Sequence, residues 1–164
     1  MSSDLLLRRK WTLRAHGRQV VFVKNPHEHT HHVLMKALLW ALYLPTYPAL
    51  QVEIATGDRY RPDVVALHAT DPRADPHFWG EAGQVGVEKI HTLVRRYRDT
   101  HFAIAKWATN LHPWTEIIVK ALNGVARNAP FDLICFPENS AEQFIDEHGT
   151  IRVRHADLVW RRLG

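Results

Sequence analysis

A chain of 164 residues, 46% hydrophobic and 23% charged, has the size and composition of one soluble domain, residues 1–164, that needs neither a disulfide nor a structural metal to fold. Its longest apolar segment, Val33 to Leu44, is interrupted by Lys36 and falls short of the roughly 20 residues that cross a bilayer; Leu5-Leu6-Leu7 runs into Arg8-Arg9-Lys10 without a secretory leader, and Cys135 is the sole cysteine, so a cytoplasmic protein without membrane segments is expected. The net charge of +4 gathers at Arg8-Arg9-Lys10, Arg14 and Arg18 and again at Arg152, Arg154, Arg161 and Arg162, clusters that either attract phosphate or keep strand edges solvated.

Trp11 to Arg14 and Gln19 to Val23 alternate around His16-Gly17, the pattern of a hairpin. Asn25-Pro26 predicts a helix start, with Asn as cap and Pro at the first helical position. Val33, Leu34, Ala37, Leu38, Ala41 and Leu42 then form one apolar face. Leu50 to Ile54 and Val64 to Leu67 read as strands around Gly57-Asp58. A proline-punctuated loop, Ala69 to Pro76, leads to a third strand, Phe78 to Ala82. After the break Gly83 to Gly86, Val87 to Tyr97 sets Val87, Ile90, Leu93 and Val94 against a basic face of Lys89, Arg95, Arg96 and Arg98, an amphipathic helix. A strand (Phe102 to Trp107), a helix (Pro113 to Val125) and a strand (Phe131 to Phe136) follow in α/β alternation. The tail reads as a short helix, Ala141 to Glu147, and an edge hairpin of Ile151 to Val153 with Leu158 to Trp160.

Two acids stand at strand ends in this scheme. Asp63 opens the run Val64 to Leu67 and Glu81 closes the run Phe78 to Gly80, so a hairpin between those strands lets the carboxylates face each other. Phosphodiester hydrolysis needs a divalent cation to stabilise developing charge and to acidify a water. Hard oxygen ligands such as Asp63 and Glu81 suit Mg²⁺ or Mn²⁺. The dense stretch His27, His29, His31 and His32 offers a rival zinc or nickel site, although no His-Glu-x-x-His pattern is present. Ser2, Ser3 and Ser140 lack nucleophile-elbow spacing and the glycines form no phosphate loop, which sets aside acyl transfer and nucleoside-triphosphate binding. Of the six tryptophans, Trp114, expected in a loop after His112-Pro113, is the one read as a contact for nucleic-acid bases.

The order Asn25-Pro26-His27-Glu28, Pro62-Asp63, Glu81-Ala82-Gly83-Gln84 and Glu88-Lys89, over about residues 10 to 135, resembles the PD-(D/E)XK nuclease superfamily, and within it the YaeQ-like branch. The resemblance implies a single α/β domain with a restriction-endonuclease-like mixed sheet flanked by helices. It implies a metal-dependent phosphodiesterase acting on DNA or RNA, with Mg²⁺ or Mn²⁺ held by Asp63 and Glu81 and contacted by Glu28 through water. Glu28 reads equally well as an acid stabilising the helix N-terminus. One departure stands out: strand alternation puts the family's lysine at position 83, where this chain has Gly83. Gln84 or Lys89 would then position the water or phosphate, with Lys106 a further candidate. The alternative is a catalytically degenerate nuclease fold serving as a binding or interaction module.

Overall fold

The computed structural model describes residues 7–71 and 73–164; the expectations for Ser2, Ser3 and the start of the leader segment lie outside them. Strands β1 (Lys10–Ala15) and β2 (Arg18–Val23) pair antiparallel across His16-Gly17. Both turn residues have positive φ, 49° and 75°, the backbone that lets a two-residue turn follow the strands' right-handed twist. Trp11, Leu13 and Ala15 alternate inward and are buried.

Helix α1 (Thr30–Tyr43) begins later than Asn25-Pro26 predicts. Residues 25–28 close a turn instead: the Glu28 N–H donates to the Asn25 carbonyl at 3.0 Å, and the Glu28 carboxylate accepts from the Asn25 N–H at 3.4 Å. The N-cap is His29, with no side-chain cap. Glu28 therefore precedes the helix, and its side chain is committed to partners on α1 rather than to the helix terminus. Burial also goes beyond one face, because every residue from Val33 to Tyr43 is buried, Lys36 included. The helix is enclosed between the β1–β2 hairpin and the main sheet.

That sheet has six strands in the order β3 (Gln51–Val52), β4 (Val64–Ala66), β5 (Phe78–Ala82), β6 (His101–Trp107), β7 (Phe131–Phe136) and β8 (Val159–Arg162). The pairs β5–β6 and β6–β7 are parallel and the outer three are antiparallel. The parallel pairs take crossover helices, α2 (Val87–Arg96) and α3 (His112–Leu122). Side chains alternate along β5, so Phe78 and Ala82 join the core under α1 while Trp79 joins the core under α2 and α3. The result is a single mixed α/β sheet flanked by helices, as expected. Among the described residues no helix is long and apolar enough to cross a membrane.

The tail departs from the expected edge hairpin. After α4 (Ser140–Phe144), Gly149 adopts φ 79° and turns the chain beneath β1, where the Arg14 N–H donates to the Gly149 carbonyl at 2.8 Å and the Ile151 N–H to the Arg14 carbonyl at 2.7 Å. A Cβ at Gly149 would lie 2.7 Å from the Thr12 carbonyl oxygen. Only β8 joins the sheet, so the two tail segments find different partners.

β7 and β8 are tied by a buried ion cluster. Asp132, fully buried, accepts from the Tyr43 hydroxyl at 2.7 Å, His101 Nε2 at 2.6 Å, and Arg162 Nε and Nη2 at 2.8 and 3.1 Å. Burial alone would raise its pKa, but His101, Arg162 and Tyr43 together hold it well below the usual carboxylate range. Asp132→Ala strands these donors and should cost about 3–5 kcal/mol, whereas Tyr43→Phe removes one donor and should cost about 1 kcal/mol. Urea unfolding measures both, and two equally small losses would count against this assignment.

Candidate functional site

The register of three neighbouring strands builds a row of acids at one end of the sheet. Val64 pairs with Gly80, so one step further sets Asp63 opposite Glu81. Val52 pairs with Val64, so the next step sets Glu53 opposite Asp63, and the Glu53 N–H donates to the Asp63 carbonyl at 2.9 Å. Neighbouring strands lie roughly 5 Å apart, which sets the three acids on adjacent strand ends. Glu53 holds this place with φ 56°, left-handed backbone that is strained for a non-glycine residue.

Helices supply the compensating charge. The Lys36 ammonium, 3% exposed, reaches from α1 to the Glu28 carboxylate at 2.6 Å and also bonds Glu53. Burial opposes that charge, but Glu28 and Glu53 outweigh it and raise the lysine's pKa. Glu28 accepts from His32 Nδ1 at 2.7 Å. The other ring nitrogen of His32 lies 3.6 Å from Asp63 Oδ2. Asp63 chiefly, with Glu28, raises the His32 pKa against its burial. Burial would raise the Glu28 pKa, yet Lys36 and His32 bring it below the ordinary value. Glu28, His32, Lys36, Glu53 and Asp63 line a cleft of about 330 Å³.

On the other face of the sheet, Glu81 is 7% exposed. Its Oε1 accepts from Trp79 Nε1 at 2.9 Å and from the Lys89 ammonium, in the first turn of α2, at 2.7 Å. Burial, with the nearby Asp63 charge adding to it, raises the Glu81 pKa in spite of Lys89. Asp63 in turn accepts the Ala82 N–H at 2.8 Å on Oδ2. Among the described residues Asp63 Oδ1 and Glu81 Oε2 take no hydrogen bond.

Asp63, Glu81 and Lys89 are thus brought together, and Glu28 joins them through His32 rather than directly. Gln84 is exposed and lines an adjoining cavity of about 490 Å³ with His27, His29, His31 and His32. Lys106 bonds none of the acids among the described residues: it donates to the Gly83 carbonyl, lies 3.6 Å from the centre of the Trp114 ring, and burial pushes its pKa down to about 8. Trp114 is not in a loop but in the first turn of α3, half-buried beneath that ammonium. His31 stacks on Trp107 with ring centres 4.5 Å apart. Among the described residues no three His, Cys, Asp or Glu side chains converge to hold a metal ion. The histidine stretch therefore forms no preassembled zinc site. Two carboxylates with a free oxygen each remain compatible with Mg²⁺, which commonly takes one or two protein carboxylates and completes its shell with water.

Lys36, Glu53 and His32 escaped the sequence reading as site residues of the acid cleft. The signal for Lys36 was present, as a lone charge inside the apolar run Val33 to Leu44 must be paired. Glu28, His32 and Lys36 also recur at i, i+4 and i+8, although Glu28 itself stands in the turn before α1.

No protein-family model matches the chain, and no curated protein matches its sequence. The fold is similar to two solved structures. The YaeQ protein from Xanthomonas axonopodis pv. citri superimposes with a TM-score of 0.54 at 16% identity, over 77% of this chain and 72% of that one. The YaeQ protein from Pseudomonas syringae gives 0.56 at 16% identity, over 84% and 75%. The chain therefore has a YaeQ-like fold.

The raised pKa of Glu81 has a definite sign for stability. A folded state that holds the proton more tightly than the unfolded chain is favoured at low pH and loses that advantage as pH rises past the ordinary glutamate value of 4.5 through the folded pKa. Glu81→Gln keeps the acceptor for Trp79 and removes the titration. Its melting temperature relative to wild type should rise between acidic and neutral pH, and a difference independent of pH would show that Glu81 titrates normally.

Proposed function

We propose that this chain is a divalent-metal-dependent phosphodiesterase of the PD-(D/E)XK nuclease superfamily, acting on DNA or RNA. The observation that carries the reading is the opposition of Asp63 and Glu81 across β4 and β5, each with one uncommitted carboxylate oxygen, beside a lysine that bonds Glu81 at 2.7 Å. Asp63 and Glu81 are the residues that would hold Mg²⁺ or Mn²⁺. When bound, the ion supplies Lewis-acid stabilisation of a phosphoryl oxygen and lowers the pKa of a water. Glu28 would not touch the ion; it orients His32, whose second nitrogen faces Asp63.

The absent strand lysine is the obstacle to this reading, and two helical lysines answer it. Gly83 offers no side chain, but Lys89 arrives from α2 and Lys36 from α1. Lys89 is 22% exposed, open enough to leave Glu81 for a phosphate oxygen and to offset its charge as the bond to the leaving group breaks. Lys36, nearly sealed between Glu28 and Glu53, serves to fix those acids. The pairing of Glu28, Glu53 and Glu81 with lysines favours a second reading, a binding module that keeps the fold without turnover.

Titration calorimetry with Mn²⁺, followed by incubation with single- and double-stranded DNA and RNA, separates the two. Wild type should bind the ion and cleave, and Asp63→Asn should do neither while melting normally. Lys89→Met should retain ion binding with turnover reduced about 10²-fold or more, the scale of losing one electrostatic stabiliser of the transition state. An absence of binding in wild type would favour the interaction module.

A further inference from the structure

A second cavity, of about 520 Å³, opens beside α2 and is lined by Asp58, Arg59, Arg73, Arg96 and Tyr97 among others. We propose that it is a subsite for a backbone phosphate of the nucleic-acid strand that enters the acid cleft. The proposal rests on the phosphodiesterase reading and adds where the substrate is gripped.

Three arginines and one carboxylate line this cavity, and that carboxylate is already committed. Asp58 has a side chain only 1% exposed. It accepts the Tyr60 N–H at 2.9 Å on Oδ1 and the Tyr97 hydroxyl at 2.6 Å on Oδ2, and Oδ2 also bonds the Arg96 guanidinium. A buried acid with a full set of donors is an anchor. It fixes one edge of Arg96 and leaves the rest of that side chain, 43% exposed, facing outward. Arg59 and Arg73 are exposed and contribute two further positive charges. An arginine fork suits the planar, two-point recognition of phosphate oxygens.

Tyr60 joins this cavity to the acids. The Arg59 guanidinium lies 4.6 Å from the centre of the Tyr60 ring and donates to its hydroxyl at 2.9 Å. The Lys89 ammonium, bonded to Glu81, lies 5.4 Å from the same ring centre. A strand lying along this path meets the Asp63–Glu81 pair, then Lys89, the Tyr60 ring and the arginines. Cations alternating with an aromatic ring are what single-stranded nucleic acid requires for backbone neutralisation and base stacking. The exposed arginines of α2, Arg95 and Arg96, and Arg98 just beyond it extend the positive surface alongside.

The test measures binding of a short fluorescent single-stranded oligonucleotide by anisotropy, across a range of NaCl concentrations, in an Asp63→Asn background that prevents turnover. Arg59→Gln with Arg73→Gln should weaken binding about tenfold and flatten the dependence of log affinity on log salt by roughly 0.7 for each phosphate no longer neutralised. Arg18→Gln with Arg154→Gln, arginines outside the cavity, controls for bulk charge and should have a smaller effect. Equal effects of the two pairs, or an unchanged salt slope in the first, would overturn the subsite. Calorimetry with inorganic phosphate distinguishes the other source: phosphate bound with no arginine-dependent oligonucleotide affinity would make the cavity a free-anion site and likewise overturn the proposal. Arginine-dependent oligonucleotide binding in a protein that cleaves nothing with Mn²⁺ would sustain the subsite and remove the phosphodiesterase reading alone.

Discussion

Three acids stand on adjacent strand ends at one edge of a sheet, and the arrangement of this corner follows from how their charge is offset. Glu53, Asp63 and Glu81 are set side by side by the registers β3–β4 and β4–β5. Like charges held near one another in a medium less polar than water destabilise a fold unless they are compensated. Lys36 answers from the helix above the sheet and Lys89 from the helix below it, while His32 stands against Asp63. The two helices are therefore charge partners of the strand ends as well as covers for the apolar core.

The compensation is uneven, and the unevenness has chemical consequences. Lys36 is almost sealed and bonds two acids, so its pKa rises and its charge is fixed. Lys89 bonds one acid and keeps solvent access. Glu81 is buried enough that its pKa is raised even with a lysine on it, and shifted carboxylates of this kind concentrate where proton or ion exchange is required. The strained backbone at Glu53 belongs to the same corner, where the surrounding structure must hold a conformation that glutamate does not favour. The opposite end of the sheet behaves differently: Asp132 is fully buried, ion-paired with Arg162 and hydrogen-bonded by His101 and Tyr43, the pattern of a structural cluster.

Much of the frame was legible in the sequence because it depends on local pattern. The β1–β2 hairpin, α2 and β7 were anticipated almost to the residue, since alternation, an amphipathic stripe and a tight turn are each encoded within a dozen residues. Asn25-Pro26 misled because residues 25–28 close a single turn, with the Glu28 N–H on the Asn25 carbonyl, and the helix itself starts only at Thr30. The tail hairpin failed because Ile151 and β8 each found a longer-range partner, β1 and β7, that short-range alternation does not disclose. The same limit explains why Glu53 was read only as part of a strand: its meaning comes from Asp63 on the next strand and Lys36 on a helix.

By itself the sequence determined the α/β class and the main elements, and it allowed Asp63 to face Glu81 across a hairpin, a register that the strand pairing then set. Tertiary structure alone decided that α1 is enclosed on all sides, that Lys36 and Lys89 stand beside the acids while Lys106 sits beneath Trp114, and that Arg59, Arg73 and Arg96 share one cavity. The physical reason is reach. Periodicity fixes which face a side chain takes within its own element, but which charges meet depends on how separate elements pack, and burial and Coulomb energy act on that packing alone.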